Sequence, residues 1–148
     1  MSLKDRLSTE MKQALKNKEK VKLSTIRMIN AAIINKEKEK RRSLEEREVV
    51  QVIQSLVKQL EESMVHFKSA QREELVKKSE EELEVLKSFL PKPLTSEELE
   101  IKIKEIIEKV NAVSIRDLGK VMKALMEEVG DRVNGKVASE KVKKMLSA

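Results

Sequence analysis

The sequence predicts an all-α protein in two helical parts, and three observations carry that prediction. Apolar residues return at three- and four-residue spacing along most of the chain, as they do in helices with one buried face. Aromatic residues make up only 1% of the 148 residues. A core must then come from Leu, Ile, Val, Met and Ala, which suits packed helices, whereas strand-rich folds also draw on aromatics. Pro91-Lys92-Pro93 interrupts the pattern sharply, because proline lacks the amide a helix interior needs and pushes the preceding residue toward extended geometry. The expected organisation is an N-terminal helical bundle or hairpin over 1–90, a Pro-containing linker over 91–94 and a compact three-helix module over 95–148.

Leu3, Leu7, Met11 and Ala14 form one stripe of a first helix. Leu23, Ile26, Ile29, Ile33 and Ile34 give a second helix a wider stripe, expected to be buried on more than one side. Ser43 with Glu46 reads as a capping box opening a third helix, whose inward residues are Val49, Ile53, Leu56, Leu60 and Met64. A fourth helix near 71–89 aligns Leu75, Ser79, Leu83, Leu86 and Leu90. Beyond the prolines, Thr95 with Glu98 repeats the capping box before Leu99, Ile103, Ile106 and Val110. Ser114 with Asp117 starts a sixth helix carrying Leu118, Val121, Met122, Leu125 and Val129. Gly130 stands where a left-handed residue would end it. Asn134-Gly135 is a turn signal before a last helix with Val142, Met145 and Leu146 inward.

Charge is distributed unevenly. The net charge is +6 for the whole chain, but residues 1–42 carry 13 Lys+Arg against 5 Asp+Glu, a net of +8. Residues 43–94 net −3 and residues 95–148 net +1. The basic peak runs from Lys36 to Arg42 and includes Lys38, Lys40 and Arg41. It is the footprint expected for a polyanion, and equally the pattern of a solvated helix end whose Lys and Glu alternate.

Several chemistries are excluded by what the chain lacks. There is no cysteine, hence no disulfide, thiolate metal site or cysteine nucleophile. None of the serines lies in a G-x-S-x-G elbow, and no Gly-rich phosphate loop is present. His66 is the lone histidine, so one chain offers no His pair for a metal. It reads as a packing residue or a helix-end cation. The glutamates at 80, 81, 82 and 84 spread over different helix faces, which favours a solvated surface over an ion site. Met122, Met126 and Met145 read as core filling, and Arg27 as a snorkelling or paired arginine. The expectation is no cofactor and no metal. The charged N-terminus has no apolar segment of a secretory signal, and no run approaches a membrane span. The setting expected is soluble and cytoplasmic.

All three glycines lie between Asp117 and Leu146, and residues 1–118 contain none. Gly119 falls inside a helical pattern, where glycine costs roughly 1 kcal/mol relative to alanine. Close approach by another helix or by an external backbone is the expected reason. Lys120 and Lys123 stand beside it, and Arg132 and Lys136 flank Asn134-Gly135. A helix start near Gly135 would present free amides to a phosphate.

GKVM at 119–122, the glycine at 130 and the Asn134-Gly135 turn resemble the C-terminal module of the GatB/YqeY family. The opening LKDRLSTEMKQALKNKEKVKLSTIRMINAAI and the middle QREELVKKSEEELEVLKSFLPKPLTSEEL are similar to the free-standing YqeY-like proteins. The same module forms the tail of the glutamine-dependent tRNA amidotransferase B subunit, where it helps to hold the outer corner of the tRNA. The family's usual acidic residue before the last glycine is Asn134 here, which keeps the turn and removes a negative charge. The resemblance implies a non-catalytic protein that binds tRNA, with Gly119, Lys120, Lys123, Arg132, Asn134, Gly135 and Lys136 as candidate contacts beside Lys36, Lys38, Lys40, Arg41 and Arg42. With almost no aromatics, base stacking is unavailable as the main mode, which leaves RNA shape and phosphate. The rival is a protein-interaction adaptor docking on an aminoacyl-tRNA synthetase or an amidotransferase. A third reading, amidotransferase-related carbon–nitrogen ligase activity, rests on family association only.

Overall fold

Ser2 opens the first helix by accepting the Asp5 amide on its hydroxyl at 3.1 Å, a short polar side chain satisfying a donor that the helix leaves unpaired. The computed structural model describes residues 2–147. It contains, among those residues, α1 (Leu3–Lys16), α2 (Lys20–Lys40), α3 (Glu46–Ser69), α4 (Glu73–Ser88), α5 (Ser96–Val110), α6 (Leu118–Val129) and α7 (Gly135–Leu146), with no strand. Single 3-10 turns, Ile115–Asp117 and Gly130–Arg132, lie on either side of α6. The chain divides between Leu90 and Pro91 into two compact units.

In the N-terminal unit, α3 packs along α4, α1 along α2, and α2 against α4. Leu7, Ile26, Ile29, Ile53 and Leu86 are fully buried together, with Phe89 among them. Arg6 locks this end of the unit. Its guanidinium lies 4.8 Å from the centre of the Phe89 ring and donates to the Ser88 carbonyl at 2.7 Å, while its Nε donates to Glu10 at 2.8 Å. Ile34, expected inside, is 50% exposed. Thr25, by contrast, takes a buried position on α2, its hydroxyl donating to the Val21 carbonyl at 2.7 Å.

The start of α3 departs from the expected one. The cap is Glu45, not Ser43, and the reciprocal box is formed by Glu45 and Glu48. Leu44 is buried against the same core as Val49. These are the residues before the cap and four into the helix, whose contact fixes the angle at which a chain enters a helix.

In the C-terminal unit, Ile103, Ile106, Val121, Leu125, Ala138 and Val142 form the buried centre. The Thr95–Glu98 box is present at 3.1 and 3.3 Å. Ser114 and Asp117 open the 3-10 turn from which α6 continues. The Pro91–Leu94 segment belongs to this unit: the Leu94 amide donates to the Arg132 carbonyl at 2.9 Å, and Arg132 Nε donates to the Lys92 carbonyl at 2.9 Å.

Gly130 corrects a second expectation. Its backbone is right-handed, with φ −56° and ψ −26°, and it begins the 3-10 turn instead of ending α6 with a reversal. No glycine here has positive φ; the left-handed positions are Lys18, Arg41, Gln71 and Asn111.

Candidate nucleic-acid interface

The basic peak sits where α2 ends and α3 begins, and the fold answers much of its charge. Glu48 accepts from Arg42 through both oxygens, at 2.7 and 3.0 Å, and also pairs with Lys40. Its side chain is only 13% exposed. These bonds, Arg42 foremost, then Lys40 and the Glu45 amide, hold its carboxyl well below the ordinary range. Glu37 accepts from Lys4 at 2.6 Å and from the Leu44 amide at 2.8 Å, and its carboxyl is lowered by the same two bonds in that order. Lys36 lies 3.4 Å from Glu39. Lys38 and Arg41 have exposed side chains and, among the described residues, no ion-pair partner. Arg41 is the left-handed residue that closes α2, with φ 56°.

The C-terminal candidates fall into two groups that the fold keeps apart. Gly119 and Lys120 lie in the first turn of α6, with Lys123 one turn on. Asn134, Gly135 and Lys136 open α7, which follows the far end of α6. From the end of α6 at Val129, Gly119 lies about 15 Å back along the helix axis and Lys123 about 9 Å, at 1.5 Å per residue.

A Cβ placed on Gly119 meets nothing within 4 Å, and neither does one on Gly135. The expectation that a neighbouring helix presses on Gly119 is therefore overturned. The free-amide expectation at Gly135 also changes: Asn134 Oδ1 accepts the Lys136 amide at 2.9 Å and the Val137 amide at 3.3 Å. Asparagine caps the helix itself and takes up donors that a phosphate would use. Arg132 is engaged through Nε with the Lys92 carbonyl. The side chains of Lys120, Lys123 and Lys136 make no ion pair among the described residues and are exposed. Ion pairs instead tie the helices elsewhere: Glu128 to Lys102 and Lys109 at 3.0 Å each, and Glu100 to Lys141 at 3.0 Å.

His66 is exposed in the last turn of α3, and Arg27 is exposed on α2. No group of His, Cys, Asp and Glu able to hold a metal occurs among the described residues. None of their helices is long and apolar enough to cross a membrane.

Two all-α units, the first with a cationic helix end and the second with glycines standing in open space, define the class of helical proteins to which this chain is assigned. It belongs to the YqeY-like protein family, whose model matches residues 4–146. A curated relative is "Altered inheritance of mitochondria protein 41, mitochondrial" of the fungus Pyrenophora tritici-repentis, 32% identical over 146 residues, covering 97% of this chain and 80% of the relative.

Proposed function

We propose that this chain is a non-catalytic accessory protein of tRNA metabolism that binds tRNA by shape and phosphate. The observation that carries the reading is Gly119. Its backbone is helical and nothing inside the protein stands near its missing side chain. Glycine in a helix costs up to roughly 1 kcal/mol relative to alanine, and no neighbouring group inside the protein crowds the site. An external surface approaching the helix closely accounts for the glycine. Unpaired Lys120 and Lys123 beside it, and Lys136 beyond the far end of α6, suit two phosphate contacts on one folded RNA better than a single anion pocket. The compartment is part of the same proposal: cytoplasmic for this chain, while the fungal relative is named as mitochondrial.

The test is a salt titration of binding to a tRNA pool, with a DNA duplex of similar charge as competitor, on the parent and on Gly119→Leu. Binding to tRNA should fall steeply with salt and resist the duplex. Gly119→Leu should fold normally, since its side chain enters open space, and should bind tRNA at least about tenfold more weakly, because a side chain there blocks close approach. Equal competition by DNA, or unchanged binding by Gly119→Leu, would overturn the reading.

A protein-adaptor role is favoured by one different observation. Val113 is 87% exposed and Ile115 52% exposed, on either side of Ser114 just before α6. Capture of a synthetase or an amidotransferase without RNA, lost on Val113→Ser with Ile115→Ser, would support that second reading.

A further inference from the structure

α2 and α3 run as a hairpin, and between them lies an open groove of about 350 Å³. Its floor is Val52 and Leu56. One wall carries Lys36 and Lys40, one turn apart on α2, and the other carries Gln51, Ser55 and Gln59 on α3. The second wall is unusual for this chain, in which 39% of residues are charged. Two of the chain's five glutamines, Gln51 and Gln59, line it. The side chains of Gln51, Ser55 and Gln59 are exposed and make no hydrogen bond among the described residues. The groove's carboxylate, Glu48, is already bonded to Lys40 and Arg42, so that cluster of three carries a net charge of +1 and does not repel an anion.

We infer that this groove seats the ribose–phosphate strand of an A-form RNA arm, with Lys36 and Lys40 toward phosphates and Gln51, Ser55 and Gln59 toward ribose hydroxyls. The inference rests on the tRNA reading above and adds to it a surface in the N-terminal unit. The chemistry of the two walls points to this occupant. Cations alone hold any polyanion, whereas neutral amides and a hydroxyl pair with groups that both donate and accept, as the 2′-hydroxyl does. That hydroxyl is what distinguishes RNA from DNA at a site, and A-form RNA displays it along a wide, shallow groove. Glu48 sets the strength: its oxygens occupy the donors of Lys40 and Arg42 that an incoming phosphate would share.

The experiment measures binding of the full chain to a short RNA hairpin, to a DNA hairpin of the same sequence, and to a tRNA pool. The parent should prefer the RNA hairpin. Gln51→Ala with Gln59→Ala should weaken RNA binding about tenfold, the loss of two hydrogen bonds, and leave DNA binding unchanged. Glu48→Gln keeps the side chain's shape and its bond to the Glu45 amide; it should strengthen RNA and DNA binding alike, by roughly two- to fivefold. Thermal unfolding of each variant confirms that both are folded, as expected for exposed glutamines and an isosteric change. If the glutamine variant binds the RNA hairpin as well as the parent does, or loses RNA and DNA equally, the groove is not a ribose site, although tRNA binding through Gly119 would stand. If the parent binds neither the hairpin nor tRNA, the groove inference and the functional reading both fall.

Discussion

The N-terminal helix tip and the C-terminal module invert one another. The first 42 residues net +8 and the last 54 net only +1, yet three of the five cations between Lys36 and Arg42 are paired with carboxylates while the module's candidate lysines make no ion pair among the described residues. Lys4, Arg6, Lys22, Lys36, Lys40 and Arg42 all have carboxylate partners. Lys120, Lys123 and Lys136 have none among the described residues. Sequence charge measures how many cations a segment owns; the fold decides how many it can offer. An incoming phosphate at the tip competes with carboxylates already paired to its cations, whereas Lys120, Lys123 and Lys136 make no ion pair among the described residues.

The largest way to break this comparison is to remove the tip's support. Phe89 is 1% exposed in the N-terminal core, and Phe89→Ala should cost about 3–5 kcal/mol, read by thermal unfolding. If tRNA binding survives once that unit has melted, the module is the primary contact. Charge reversal of the two unpaired tip cations, Lys38→Glu with Arg41→Glu, should lower affinity about tenfold at low salt and flatten the salt slope. No change in the slope would remove the tip from the interface. Asn134→Ala should cost about 1 kcal/mol, because it uncaps α7 at two amides, and a smaller loss would mean that water replaces the cap.

Acid sharpens the contrast with the smallest effect. Glu48 is held well below its ordinary value of 4.5 by Arg42, Lys40 and the Glu45 amide. A carboxyl lowered in the folded state stabilises fully above its unfolded pKa, and that contribution is lost as pH falls toward the folded value. Glu48→Gln should therefore lose less stability than the parent between about pH 5 and pH 2. Parallel acid curves for the two proteins would show that the Glu48 pairs contribute little to folding.

Much of the fold could be read from the sequence because the signals were local. Thr95 and Glu98 stand three apart before an apolar run, and Pro91 and Pro93 mark the boundary between units. The start of α3 was misplaced because Ser43 is the commoner capping residue. The signal that finds the true frame is Leu44 with Val49, an apolar residue on either side of the cap. The glycines misled in another way: their conformational freedom goes unused, and three of the four left-handed positions hold long side chains instead. The clamp of Glu48 on Lys40 and Arg42 crosses a helix reversal, so helical spacing does not reveal it. Nor does periodicity show the groove, because Gln51, Ser55 and Gln59 follow the same helical repeat as any solvated face.

Those left-handed reversals carry a trade between backbone ease and surface charge. At Lys18, Arg41, Gln71 and Asn111 the following amide reaches back five residues, as in Glu19 to Ala14 at 2.9 Å and Arg72 to Phe67 at 2.9 Å. This closure normally selects glycine. Lys18→Gly and Gln71→Gly should each raise stability by up to about 1 kcal/mol by relieving side-chain crowding. Arg41→Gly should gain the same ease while removing an unpaired cation from the tip. A chain that keeps arginine at that corner forgoes some stability to retain the charge, and glycine there would make the tip more stable and less cationic at once.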